Sequence, residues 1–501
     1  MARAMENGGK ALAAYLQPQQ AEPRTQPPGE MTELIKTLST VANYWLSDEK
    51  RAADLQMKLG KAYLDLWGTA MRRMAGEAAA SVAPPPRDKR FADPEWKSNQ
   101  FFDFVMQAYL MTTQWAHDLV KDAEGLDAHT RKKAEFYVQQ VTNALSPSNF
   151  VLTNPEVLRE TVTSNGSNLM RGMTMLAEDI EAGRGALRIR QSDPKNLEVG
   201  VNMATTPGKV IFQNDIMQLI QYAPATEDVL RTPLLIVPPW INKFYILDLK
   251  PEKSFIKWCV DQGLTVFVIS WVNPDKSLGH KTFEDYMKDG PLAAMDVIER
   301  ATGEMTVHTI GYCVGGTLLA STLAWLADKR RVRVASATFM AAQVDFTHAG
   351  DLMVFVDEDQ IAALEKDMQA SGVLDGSKMA MAFNMLRSND LIWSYVVNNY
   401  LKGKAPSAFD LLHWNSDATR MPAANHSFYL RNCYLDNKLS AGNMVIDNTR
   451  LDLSKVKVPV YNLATREDHI APAESVLYGS QFFGGPVKYV LSGSGHIAGV
   501  V

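Results

Sequence analysis

The sequence predicts a doubly wound α/β core carrying an inserted subdomain and preceded by an all-helical domain. Three observations carry this. Apolar residues between 31 and about 190 recur at helical spacing. From 232 onward, short apolar runs alternate with helix-length amphipathic segments, the pattern of a parallel sheet covered on both faces. Finally, more than a hundred residues separate two good strands at 332–342 and 456–464, whereas connections in such cores take a handful.

Residues 17–30 (QPQQAEPRTQPPGE) have little to bury, so residues 1–30 read as a flexible tail with a short helix around Ala11–Leu16. The helical domain spans 31–195. Within it Leu55, Leu59, Ala62 and Leu66 share one helix face, and Pro84-Pro85-Pro86 interrupts the pattern. Asn154-Pro155 is a cap and first-turn pair for a helix running to about Gly183.

The catalytic domain is expected over 196–501. GKVIFQND and MQLIQYAP look like paired strands, and TPLLIVPP at 232–239 is a continuous apolar strand. Then follow helix 253–263, strand 264–270, helix 283–301, strand 305–312, helix 315–329 and strand 332–342. The inserted cap subdomain is placed at about 345–450. It is rich in Met379, Met381, Phe383, Met385, Trp393, Tyr395 and Tyr400, which suit a lid, a partner surface, or a small core of its own.

Composition narrows the function classes. A net charge of -5 gives no electrostatic reason to expect nucleic acid as a partner. Cys259, Cys313 and Cys433 are odd in number and far apart, against a disulfide framework or thiolate metal site and in keeping with a reducing cytosol. The longest apolar stretches fall short of the ~20 residues of a membrane helix, and the start lacks a signal peptide's apolar core. There is no GxxxxGK[ST] loop, HExxH, or GxGxxG between strand and helix. Asp357-Glu358-Asp359 reads as a solvated helix face rather than a metal site, and no cofactor is expected.

The chemistry centres on TVHTIGYCVGGTLLAS. Gly311-Tyr312-Cys313-Val314-Gly315 lies between an apolar strand and an apolar helix, the layout of a nucleophile elbow with cysteine in place of serine. The small flanking residues let the chain turn sharply, and a helix N-terminus behind Cys313 favours the thiolate. A lone cysteine is more often a small buried hydrophobe. Here, however, Asp468 follows strand 456–464 and His496 follows strand 487–491, both at the carboxyl ends where α/β active sites assemble.

The order nucleophile, acid, histidine matches the α/β-hydrolase template. His469 is the rival base, but a residue adjacent to Asp468 cannot readily accept its hydrogen bond and also reach Cys313. The oxyanion donors are expected to be the backbone N–H of Val314 and, since Pro238 and Pro239 have none, that of Trp240 or preferably Ile241. The alternative for this stretch is a packed strand-to-helix corner. Cysteine attack on a thioester exchanges one thioester for another and keeps the acyl group activated, so it favours acyl transfer over ester hydrolysis.

GYCVGGT, PPWINKFYILDL, SWVNPD (270–275), EDHIAP (467–472) and GHIAGVV (495–501) resemble the motifs of class I polyhydroxyalkanoate synthases. ATTPGKVIFQND (204–215) and SPSNFVLTNPEV (146–157) resemble the junction of their helical and catalytic parts. The resemblance covers nearly the whole chain. It implies Cys313 as nucleophile, His496 as base, and Asp468 as an acid that also helps activate the incoming 3-hydroxyl. It further implies polymerisation of short (R)-3-hydroxyacyl-CoA, chiefly 3-hydroxybutyryl-CoA, a homodimer formed through the inserted subdomain, and a cytoplasmic enzyme at polyester granules. A thioesterase or depolymerase on the same scaffold, or a granule-coating scaffold protein, are the rival readings. Lys243 is a candidate contact for the CoA diphosphate, or a surface lysine in a turn. Family members continue past the GHIAGVV motif, so a chain ending at Val501 reads as truncated.

Overall fold

The computed structural model describes residues 29–74, 84 and 88–501. The expected tail with its helix at Ala11–Leu16, and Pro85-Pro86, lie outside the described residues. The described residues divide into two compact units, one of those up to Asp193 with 384–407, the other of 194–383 with 408–501.

In the first unit the long helices are α1 (Gly29–Leu46), α2 (Glu49–Met74), α3 (Gln100–Lys121), α4 (Ala128–Ala144), α5 (Pro155–Thr163) and α6 (Ser167–Ala182). Side-chain capping of otherwise unpaired N–H groups sets the starts of α3, α4 and α5. Asn99 accepts from Phe101 N, Asp127 from His129 and Thr130 N, and Asn154 from Val157 N with Pro155 in the first turn. The helix expected to run from Pro155 to Gly183 breaks after Thr163, where Asn165 (φ 50°) and Gly166 (φ 77°) enter the left-handed region. Val41, Val120, Ala123 and Ala134 form one small core, and Phe91, Trp96, Phe102, Met106 and Leu110 another.

Part of the expected insertion belongs here. Tyr400 donates its hydroxyl to Asp179 Oδ2 (2.6 Å), Asn399 Nδ2 donates to Arg190 O (2.9 Å), and Asn143 Nδ2 donates to Ser388 Oγ (2.9 Å). Gly172 of α6 allows the approach, because a Cβ there would lie 1.8 Å from Tyr400 O. The methionines and aromatics of this stretch therefore form no single core. Tyr400 is buried in the helical unit, Met379 packs on the second unit's core, and Met381 is exposed.

The second unit is built on an eight-stranded sheet. Its strands are β1 (Gly208–Gln213), β2 (Met217–Tyr222), β3 (Leu234–Val237), β4 (Val266–Trp271), β5 (Val307–Tyr312), β6 (Val334–Met340), β7 (Val460–Thr465) and β8 (Val487–Ser492). The spatial order is β1-β2-β4-β3-β5-β6-β7-β8. β2 is antiparallel to both neighbours, and every other pair is parallel. The strands read from the sequence lie where expected: β1, β2 and β8 start at the expected residue, β3 to β6 start two residues later and β7 four residues later.

Alternate residues face opposite sides of the sheet. Leu235, Val237, Phe267 and Ile269 join one core, which α10 (Val314–Asp328) covers with Leu318, Leu319 and Leu323 (the helices α7 to α9 precede it in the chain). Ile236, Val268, Ile310 and Tyr312 join the other, covered by α7 (Phe255–Asp261) through Ile256, Cys259 and Val260. The helix expected over 283–301 is three pieces. They are α8 (Phe283–Met287), a wide turn at Lys288–Leu292, and α9 (Ala293–Thr302), split because Pro291 lacks an N–H and Gly290 leaves helical geometry. Asp357 caps α11 (Glu358–Ser371) by accepting from Gln360 N, and Glu358 pairs with Arg431, so the acidic run is used in capping and pairing.

Candidate active site

The centre of the site is a sharp turn between strand and helix. Cys313 has φ 53° and ψ −132°, between the end of β5 and the first residue of α10, a strained conformation for a residue with a Cβ. The glycines around it are fixed by space. A Cβ on Gly311 would lie 2.5 Å from Gly316 Cα, one on Gly316 2.4 Å from Ala342 Cβ, and one on Gly315 2.3 Å from Val237 O. Strand, turn and helix thus pack backbone to backbone, and Cys313 N donates to Met340 O at 3.0 Å. Its half-buried side chain touches the cores on both faces of the sheet.

The parallel strands bring two distant loops to this turn. After β7, Asp468 Oδ1 accepts from Ile470 N (2.8 Å) and Ala471 N (2.9 Å), while Thr465 Oγ1 donates to Oδ2 (3.2 Å). After β8, His496 Nδ1 lies 2.7 Å from Asp468 Oδ2, leaving Nε2 for the thiol side. Both residues are buried. His469 does not take this place; its carbonyl accepts from Asp351 N instead.

Burial opposes charge on both members of the pair, and the pairing overcomes it. Desolvation works against the His496 imidazolium, but the Cys313 charge and hydrogen bonds to Asp468 and Cys313 push its pKa up to about 10. Desolvation likewise raises the Asp468 carboxyl, yet the hydrogen bond and charge of His496, with the Ala471 and Ile470 N–H groups, hold it below the ordinary carboxylate value. The arrangement sets an imidazole between a carboxylate and the Cys313 sulfur, the order that an activated sulfur nucleophile requires.

Val314 is the first residue of α10, so its N–H has no intrahelical acceptor. The loop after β3 lies against this first turn, since a Cβ on Gly315 would also be 2.6 Å from Pro238 O. Ile241, the other candidate donor, is half-buried at the margin of the core. Trp240 is buried, with its ring 5.9 Å from Tyr429 and 5.4 Å from Tyr286. Lys243 Nζ is 2.8 Å from Asp417 Oδ1.

Three residues at the site had no sequence signal. Tyr312, inside the elbow motif, donates its hydroxyl to His496 O at 3.0 Å. Tyr429 and Tyr434, 5.6 Å apart between ring centres, come from the stretch between β6 and β7. Burial raises the pKa of both well above the ordinary range, and the nearby Cys313 charge adds to it. No alternation or motif marks them, because they sit on short helical turns whose burial comes from tertiary contact.

With this geometry in place, similarity to known proteins becomes interpretable. Residues 87–259 match the family described as "Poly-beta-hydroxybutyrate polymerase (PhaC) N-terminus", and residues 232–501 match "alpha/beta hydrolase fold". The chain is 61% identical over its whole length to a poly(3-hydroxyalkanoate) polymerase subunit of Rhizobium meliloti, covering 82% of that protein. It is 62% identical to a poly(3-hydroxyalkanoate) polymerase of Methylorubrum extorquens, over 94% of this chain and 78% of the other. The corresponding subunit of Cupriavidus necator is 39% identical over 89% of this chain and 75% of its own.

The chain belongs to the poly(3-hydroxyalkanoate) polymerase family. It is an acyltransferase-type enzyme that polymerises hydroxyalkanoate units on an α/β-hydrolase fold, preceded by a helical region. Among the described residues, no helix of this polymerase is long and apolar enough to cross a membrane.

Proposed function

We propose that the enzyme polymerises short (R)-3-hydroxyacyl-CoA, chiefly 3-hydroxybutyryl-CoA, through a thioester on Cys313, releasing CoA. The observation that carries this is the 2.7 Å contact of His496 Nδ1 with Asp468 beside an elbow cysteine. The Cys313 sulfur attacks the thioester carbonyl, and negative charge develops on its oxygen, where the N–H groups of Val314 and Ile241 donate. The carbon–sulfur bond to CoA then breaks, and CoA leaves with the proton that His496 holds.

The 3-hydroxyl of the next monomer loses its proton to His496, steadied by Asp468, and its oxygen attacks the acyl group on Cys313. An ester bond forms, the Cys313 thioester breaks, and repetition lengthens the chain. CoA thioester is substrate, and the reaction needs no cofactor. The same reading takes the enzyme to be a cytoplasmic homodimer, joined through the inserted subdomain, at the surface of polyester granules.

The test is thiol release from (R)-3-hydroxybutyryl-CoA followed by sizing of the acyl product. Polymer with equivalent free CoA supports the reading. Free hydroxybutyrate in place of polymer would make the enzyme a thioesterase on this substrate, and no thiol release from folded protein would reject the substrate.

A further inference from the structure

The base of this site rests on the loop that follows β8. Ser494 has φ 65°, its carbonyl accepts from Glu467 N at 2.8 Å, and Gly499 N turns back to Gly495 O at 3.0 Å. The Asp468 contact fixes Nδ1 of the His496 ring and a hydrogen bond to Cys313 engages its other side, but neither reaches the backbone behind the ring. Tyr312, the residue immediately before the thiol, meets both the face of that ring and its backbone carbonyl.

Tyr312 ends β5 on the face opposite α10, so its side chain runs beneath the ends of the later strands, into the core that Ile497, Val500 and Val501 also touch. Its ring stacks on the imidazole at 5.7 Å between centres and 24° between planes. Its hydroxyl donates to the His496 carbonyl at 3.0 Å. Burial first, and then the charges of Cys313 and Asp468, keep this hydroxyl protonated far above the ordinary tyrosine range, so it remains a donor whenever the site is charged. One residue therefore ties the loop that carries the base to the strand that carries the nucleophile.

We propose that Tyr312 is a positioning residue: its hydroxyl, through the His496 carbonyl, sets the imidazole in line with the Cys313 sulfur. This rests on the reading of Cys313 as nucleophile and His496 as base. The charged and titratable groups facing the imidazole are Cys313 from the elbow and Asp468 from the β7 loop, with Tyr312 beneath it. Tyr429 and Tyr434, from the stretch between β6 and β7, share a packed cluster with Cys313.

The experiment is Tyr312→Phe in the full chain, which keeps the ring and its packing and removes only the donor. Thiol release from 3-hydroxybutyryl-CoA should fall roughly tenfold in kcat with KM little changed. The rate at which iodoacetamide alkylates Cys313, followed by mass spectrometry, should fall in mildly acidic buffer and stay unchanged in strongly alkaline buffer. That is because only the acidic arm depends on a well-placed imidazolium. A merely structural role would lower the melting temperature and leave the alkylation profile where it was. Wild-type kcat, or an unshifted alkylation profile, overturns the proposal. Cys313→Ala runs beside it: polymer formation by that variant would sink the nucleophile reading itself, whereas an inactive Cys313→Ala with a fully active Tyr312→Phe sinks the positioning role alone.

Discussion

His496 and Asp468 lie 28 residues apart in the chain, yet His496 Nδ1 and Asp468 Oδ2 meet at 2.7 Å because β7 and β8 are adjacent and parallel. Register pairs Thr465 with Ser492, so the loops leaving the two strands start side by side. The carboxylate fixes which ring nitrogen carries the proton, a condition for the other to face the thiol.

Asp468→Asn should therefore be nearly isosteric and nearly inactive. An amide at this position can present its own N–H to Nδ1 and so impose the wrong tautomer. The expected loss in CoA release is on the order of a thousandfold, with circular dichroism unchanged. Activity within a factor of a few of wild type would show that Asp468 does not orient the base.

The same pair predicts a pH dependence of stability. The folded pKa of His496 is raised above its ordinary 6.5, so the stabilisation it brings is complete below the unfolded value and is lost as pH rises toward about 10. Asp468 is depressed and acts in the opposite sense: its contribution is present above the ordinary carboxylate value of 3.8 and disappears as pH falls through the lower folded value. The melting temperature of the wild type, compared with His496→Gln, should lose its advantage between neutral and alkaline pH. In Cys313→Ala, which lacks the charge that supports the imidazolium, that loss should begin at lower pH. A pH-independent gap would contradict the assignment of a charged His496.

How much of this was legible depends on which residues a local pattern constrains. The elbow was visible because Gly311, Cys313 and Gly315 fall at alternate positions of one five-residue stretch and their spacing is imposed by one turn. The strands were visible because burial on both faces leaves continuous apolar runs such as Leu234–Val237. By contrast, the docking of 384–407 onto α6 depends on Gly172 meeting Tyr400 O, a contact across more than two hundred residues that no periodicity encodes. Tyr312 carries no signal beyond its place between Gly311 and Cys313, since the partner that gives it meaning, the His496 carbonyl, is set by the tertiary fold.

Gly172→Ala tests that long-range contact. A Cβ 1.8 Å from a carbonyl oxygen cannot be accommodated without moving backbone, and overpacking of this kind costs about 1–3 kcal/mol. The expected outcome is faster proteolytic cleavage within 384–407 and a lower melting temperature. Gly493→Ala, whose Cβ would meet nothing within 4 Å, is the control expected to behave as wild type.

The last prediction concerns the oxyanion donors, where side-chain mutagenesis is uninformative because the groups are backbone N–H. Replacing Val314 by its α-hydroxy analogue turns one amide into an ester and deletes one donor while keeping the isopropyl group in the core. Since that N–H begins α10 and has no intrahelical acceptor, little helix stability is lost, and any large effect must come from the reaction. A donor to the developing oxyanion is worth roughly a hundredfold to a thousandfold in kcat. The same replacement at Ile241 should give a loss of similar size, and at Trp240 almost none. If Trp240 and Ile241 exchange these outcomes, the turn after Pro238-Pro239 aims the earlier N–H at the site. If neither replacement matters, the stretch is a packed corner beneath the elbow, and Val314 carries the oxyanion without it.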